Sequence, residues 1–97
     1  MSRTVTLRIK RVYFDQILSG TKLVEYRDVK PYYERLFSCA SDISRLRLHY
    51  QRGAMLEAHV DSVRRIPRPA HLASTGIDFA NTETFAIILR NARLIRE

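Results

Sequence analysis

Lys22, Glu25 and Arg27 are the side chains in this sequence best placed to do chemistry. They fall in Gly20-Thr21-Lys22-Leu23-Val24-Glu25-Tyr26-Arg27, where a helix-ending glycine hands over to a strand-like segment. In a pleated strand Glu25 and Arg27 share a face with Leu23, while Val24 and Tyr26 point the other way. Lys22 precedes the regular pleat, and its long stem can reach the face of Glu25 and Arg27. An amine, a carboxylate and a guanidinium in one cluster can hold a polar ligand, or tune the lysine for proton transfer or nucleophilic attack. The same spacing also describes an exposed Glu25–Arg27 ion pair, worth at most about 1 kcal/mol, beside a solvated Lys22. On charge spacing alone that plainer arrangement is the commoner one, because structural ion pairs outnumber active sites.

The elements that must position this cluster follow from the hydrophobic pattern. Val5, Leu7 and Ile9 alternate with Thr4, Thr6, Arg8 and Lys10, the period-2 pattern of a half-buried strand. The period then changes, and Val12, Phe14, Ile17 and Leu18 predict a helix that Gly20 ends as a C-cap. Lys22 to Asp28 reads as a second strand. Lys30-Pro31 opens a short helix with Tyr32, Tyr33, Leu36 and Phe37 as its apolar positions.

In the second half, Leu46, Leu48 and Tyr50 alternate with Arg45, Arg47 and His49, a strand with one basic face. Gln51-Arg52-Gly53 marks a turn, and Ala54 to Val63 returns as the other arm of a hairpin. Its inward positions are Leu56, Ala58 and Val60, and its outward ones Glu57, His59 and Asp61. Pro67 and Pro69 interrupt the pattern. Ala70 to Asn81 reads as a loop with one helical turn and a bend at Gly76. Thr84 to Leu89 suits a central strand, which Ala92 to Ile95 extends or re-pairs. The order β-α-β-α followed by three or four strands has too few alternations for a doubly wound parallel sheet. It predicts an α+β domain over residues 1–97: a small, mostly antiparallel β-barrel with one or two flanking helices.

Charge supplies the second functional clue. Seventeen Lys and Arg against ten Asp and Glu give a formal +7 over 97 residues, and the pI is near 10.2. Fourteen of the seventeen cations are arginine, the side chain that forks onto phosphate and stacks on bases. Arg8, Lys10, Arg45 and Arg47 project from strands, and Arg64 and Arg65, with Arg68, surround the proline turn. Interleaved with Tyr13, Tyr26, Tyr32 and Tyr33, they compose a basic surface with stacking rings of the kind that single-stranded RNA binding uses. Tyr32 and Tyr33 are adjacent and cannot both face the core, so at least one is exposed. The helix from Tyr32 to Phe37 is an alternative surface for a protein partner.

Other features point away from several classes. No apolar run approaches the roughly 20 residues of a membrane span. Met1-Ser2-Arg3-Thr4 leads straight into patterned sequence without a signal-peptide core, which predicts a cytoplasmic protein without membrane attachment. A single cysteine, Cys39, rules out a disulfide framework, and its place behind an apolar helix face predicts a buried, inert thiol. His49 and His59 fall on outward hairpin positions where they could approach one another near Asp61, but no third ligand stands at a diagnostic spacing, so no metal or cofactor is expected. His71 lies in the loop after Pro69, either on a catalytic lid or as a plain surface histidine.

The stretch from Val12 to Arg27 resembles the opening signature of the ASCH domain, a branch of the PUA-like superfamily. That signature is an aromatic residue, an Ile-Leu-x-Gly-x-Lys helix end, and x-x-Glu-x-Arg on the next strand. Lys30-Pro31-Tyr32-Tyr33-Glu34-Arg35-Leu36 is similar to the continuation in short phage and bacterial members. The likeness covers residues 5 to 37, and later agrees in strand order and in Thr84-Phe85-Ala86-Ile87-Ile88-Leu89. It implies a PUA-like β-barrel with a ligand cleft beside the first helix and second strand, and RNA or a modified nucleoside as ligand. Some similar proteins cleave nucleic acid or remove acetyl groups from N4-acetylcytidine, so Lys22, Glu25 and Arg27 are the candidate catalytic residues if this is an enzyme. In the amidohydrolase branch the lysine matches Lys22, but a threonine nucleophile stands where this chain has Glu25, and a second acid comes before the last strand. Here a carboxylate replaces that nucleophile, although Thr21 is close by, and only Asp78 and Glu83 are left as later acids without a clear match. The departures favour RNA recognition first and ribonuclease chemistry second, with deacetylation behind both.

Overall fold

A computed structural model describes residues 3–37, 42–51, 53–75 and 82–96. The chain runs through strand β1 (Arg3–Arg8), helix α1 (Arg11–Ser19), β2 (Val24–Asp28), α2 (Pro31–Phe37), β3 (Ile43–His49), β4 (Met55–Pro67), a 3₁₀ helix (Ala70–Thr75) and β5 (Glu83–Arg96). The strands form one five-stranded sheet in the order β1-β3-β4-β5-β2. Only the β1–β3 pair is parallel. The sheet curls into a half-barrel flanked by two helices, open between its edge strands β1 and β2.

The curl has a local cause. The β4–β5 ladder shifts register at Met55/Leu56, Glu57/His59 and Val60/Ser62, and Asn91 on the facing strand takes a left-handed φ of 54°. Such bulges bend a strand and increase its twist. The first part of β4 therefore pairs with β3, whereas the first part of β5 pairs with β2. Two long strands thus serve both halves of the curl.

Inside it, Val5, Leu7 and Ile9 meet Leu46 and Leu48, Leu56 and Ala58, and Phe85, Ile87 and Leu89. Helix α1 adds Phe14 and Ile17 to this core, and Phe14 meets Tyr50 edge to face with centroids 4.7 Å apart. Gly20 ends α1 at φ 85°, its N–H donating back to the carbonyls of Gln16 and Ile17, as its position in the sequence predicts. The apolar run in β5 is central as expected, and the strand continues through Ala92 to Ile95 without a break.

Three expectations are corrected. Val12 is exposed, and half-buried Tyr13 packs on the core instead, because at about 100° per residue position 12 lies on the far side of the helix from position 14. Glu57, on the outer face as read, is only 5% exposed, since arginines from both neighbouring strands cover it. His49 and His59 are not opposite each other: the register pairs His49 with Met55 and His59 with Arg45. No cluster of three metal-ligating side chains occurs among the described residues. Cys39, Arg52, Gly76 and Asp78 lie outside them.

Leu48 is fully buried on β3 at the centre of this core. Leu48→Ala should lower the unfolding free energy by about 2–5 kcal/mol, read as a lower urea midpoint at unchanged slope.

Candidate functional site

Strand β2 is an edge strand, bonded along one side to β5, with Glu25 opposite Ile87 and Arg27 opposite Phe85. Glu25 is 5% exposed, and a buried carboxylate needs a partner. Arg27 supplies it: its Nε donates to Oε2 at 2.9 Å, and its Nη2 lies 2.7 Å from the same oxygen.

The rest of that guanidinium spans the opening of the half-barrel. Nη1 donates to the Tyr33 hydroxyl on α2 at 3.0 Å, and Nη2 donates to the carbonyl of Arg8 at the end of β1 at 2.8 Å. Burial opposes the Arg27 charge, but the attraction of Glu25 and the bond to Tyr33 outweigh it and hold its pKa above the ordinary arginine value. Arg27 is therefore a positioning residue that fixes Glu25, rather than a free cation for a ligand.

Lys22 sits in the turn after α1, where the N–H groups of Thr21 and Lys22 both donate to the Gln16 carbonyl. Its Nζ donates to the Val24 carbonyl and lies 3.7 Å from Glu25 Oε1. The ammonium stands 5.4 Å from the Tyr13 ring centre and 5.3 Å from that of Tyr26, within cation–π range of both. Its burial lowers the amine's pKa below the ordinary lysine value. Glu25 opposes the shift by attraction and hydrogen bonding, and Arg27 adds to it. A lysine so placed deprotonates, donates a proton, or attacks more readily than one in water.

The cluster forms one wall of a cavity of about 660 Å³, within the usual range of small-molecule sites. β1, α1 and the link between them contribute Arg8, Lys10, Tyr13 and Gln16, α2 and the residue before it contribute Tyr33 and Lys30, and the 3₁₀ helix contributes His71 and Leu72. Among the described residues, five cationic side chains line it against the carboxylates of Glu25 and Asp28. The His71 ring meets Tyr26 edge to face, centroids 5.6 Å apart.

The cavity thus unites Lys22, Glu25, Arg27, Arg8, Lys10 and Tyr26 from the residues singled out in the sequence. It does not include Arg45, Arg47, Arg64 or Arg65. Arg45 and Arg47 turn to Glu57 on the outer face of the sheet, and Arg65 pairs with Glu83 at 3.1 Å. Gln16, Lys30 and Leu72 were not legible as site residues, because only the folded chain brings the 3₁₀ helix beside β2. Thr21 lines the cavity too, but its hydroxyl donates to the Gln16 carbonyl and lies 3.1 Å from the Ser19 hydroxyl, so it is engaged in capping α1.

Two outcomes follow from this geometry. Arg27→Ala should destabilise the fold by about 3–5 kcal/mol by stranding the Glu25 carboxylate, and adding Glu25→Ala should recover much of that loss in denaturant titrations. The Lys22 amine, followed by NMR after ¹³C reductive methylation, should titrate below the ordinary lysine value. Glu25→Gln should move its midpoint further down, since the attraction that opposes the shift is then lost.

No protein-family model, curated protein or solved structure matches this chain, so its function is argued from this site.

Proposed function

We propose that this protein is an RNA-binding domain of the ASCH type, PUA-like in fold, which takes a base or modified nucleoside of RNA into the cleft beside α1 and β2. The observation that carries the reading is the Lys22–Glu25–Arg27 cluster, buried at the wall of a cationic cavity flanked by tyrosine rings. Glu25 Oε1, which Arg27 leaves toward Lys22, is an acceptor for an exocyclic amine or ring N–H, and Lys22 is a donor for a base carbonyl. Tyr13, Tyr26 and His71 offer rings against which a base stacks. Arg8, Lys10 and Lys30 supply positive charge for phosphate at the same cavity.

A second reading rests on the lowered pKa of Lys22 beside Glu25. In a ribonuclease reaction Glu25 would take the proton of a ribose 2′-hydroxyl and the 2′-oxygen would attack phosphorus. The P–O5′ bond would break, and the Lys22 ammonium would protonate the departing 5′-oxygen. Arg27 would keep Glu25 oriented throughout.

Both readings are tested with labelled single-stranded RNA, with bound and cleaved fractions read from one gel and folding followed by circular dichroism. Binding is expected, weakened about tenfold or more by Tyr26→Ala through lost stacking and likewise by Lys22→Ala. Cleavage that vanishes in Lys22→Ala while folding and binding persist, with a bell-shaped pH–rate profile, would establish the ribonuclease instead. Binding unchanged in both variants would remove the cleft from the account.

A further inference from the structure

The outer face of the sheet, away from the cleft's cluster, carries an arrangement that the cleft does not use. Glu57 lies between Arg47 on β3 and Arg93 on β5 in the ladder, with Arg45 one pleat away. Arg47 Nε donates to Glu57 Oε2 at 2.9 Å. Arg45 Nε and Arg93 Nη2 each stand 3.7 Å from Oε1. One carboxylate thus gathers three guanidiniums and balances only one of them. The bond from Arg47 and the close approach of Arg45 and Arg93 hold the carboxyl below the ordinary carboxylate range.

The arginines themselves stay open to solvent, with side-chain exposures of 51% for Arg45, 45% for Arg47 and 73% for Arg93. Exposed ion pairs stabilise a fold little, so concentrating two uncompensated charges on one carboxylate is poorly explained as a stability device. It is well suited to anions. Arg45 and Arg47 make their shortest contacts with Glu57 through Nε while their side chains stay about half exposed, and a guanidinium's terminal nitrogens are the ones that fork onto phosphate.

The patch is connected to the cleft through β1. Thr4 pairs with Arg45 and Thr6 with Arg47 along β1, and Arg8 at the end of β1 lines the cavity. Thr6 and Arg8 are two residues apart, about 7 Å along the strand, and three strand spacings carry the face from β1 to β5, about 14 Å. That reach suits two or three nucleotides of a single strand. Around Glu57, the ladder positions of this face on β1, β3 and β4 hold threonine, arginine, histidine, methionine and glutamate, none of them a tyrosine or phenylalanine on which bases would stack. Contacts there would fall on phosphates and be indifferent to sequence.

We propose that Arg45, Arg47 and Arg93, gathered on Glu57, form a phosphate track that continues from the cleft over β1, and that the ligand is a single-stranded oligonucleotide rather than a free nucleoside. This extends the cleft reading above and rests on it for the strand's path. Glu57 is a positioning residue, and the three arginines meet the backbone.

The test measures fluorescence anisotropy of a labelled 12-nucleotide oligouridylate over a range of salt concentrations. The variants are Arg45→Ala/Arg47→Ala/Arg93→Ala with Glu57→Gln added, so that no carboxylate is stranded, and the corresponding triple Arg→Lys variant as a charge-preserving control. Losing three phosphate contacts should reduce the slope of log K against log salt by about 2, at about 0.7 per contact on a single strand. Affinity should fall tenfold or more at moderate salt, while the Arg→Lys control keeps most of the slope. Binding of uridine monophosphate, which reaches only the cleft, should be unchanged in the arginine variant and weakened by Lys22→Ala.

Wild-type slope and affinity in the folded arginine variant would overturn the track and leave the cleft reading standing. A reduced slope with no effect of Lys22→Ala on either probe would overturn the shared path while keeping the outer face as an independent anion site. Displacement of the oligonucleotide by polyglutamate as readily as by unlabelled RNA, at equal charge, would overturn the assignment to RNA in favour of an acidic protein.

Discussion

The Arg27 guanidinium is the constraint on which the rest of the site depends. A five-stranded sheet that curls without closing leaves two edge strands, β1 and β2, facing each other across an opening. Where a full barrel would have ladder hydrogen bonds, the Arg27 side chain reaches across. Its nitrogens reach the carbonyl of Arg8 on β1, the hydroxyl of Tyr33 on α2 and the carboxylate of Glu25 on β2. The bond to Glu25 satisfies a buried carboxylate that the apolar interior would otherwise penalise. The same contacts fix one oxygen of Glu25 and leave the other toward Lys22, so that bridging the opening and orienting this carboxylate are one event.

That arrangement explains why charged residues tolerate a place beside the core. Glu25 and Arg27 stand opposite Ile87 and Phe85, both buried. An ion pair here gains little over apolar packing, because desolvation offsets the Coulomb attraction. What it adds is an amine held between two aromatic rings and a carboxylate at the wall of a cavity, a combination that an apolar seam does not provide. Lys22 bears the consequence: it is stabilised by rings and by Glu25, yet its withdrawal from water lowers the amine's pKa below the ordinary lysine value.

The molecule distributes its positive charge on two surfaces. One set lines the cleft, where rings and hydrogen-bonding groups can discriminate among ligands. The other lies on the outer face, where Arg45, Arg47 and Arg93 share Glu57. The outer set owes its place to the pleat of β3: Leu46 and Leu48 are committed to the core, so Arg45 and Arg47 are directed to the opposite side.

Much of this was legible in the order of residues. Alternation in β1 and β3, the apolar run in β5 and the glycine closing α1 identify their elements because each is a local pattern with a local cause. The spacing of Glu25 and Arg27 places them on one face for the same reason, and Lys22 reaches them because the turn after Gly20 is short. What the linear order could not decide was closure. The bulges that curl β4 and β5, the approach of β1 to β2, and the placing of His71 against Tyr26 all depend on contacts between distant segments. So did the allocation of arginines: Arg8 and Arg47 look alike in sequence, each on the polar side of a strand. Only the curl decides that one meets the cavity and the other a glutamate on the far face, because local periodicity assigns a side chain to a side of the sheet and tertiary curvature decides what that side confronts.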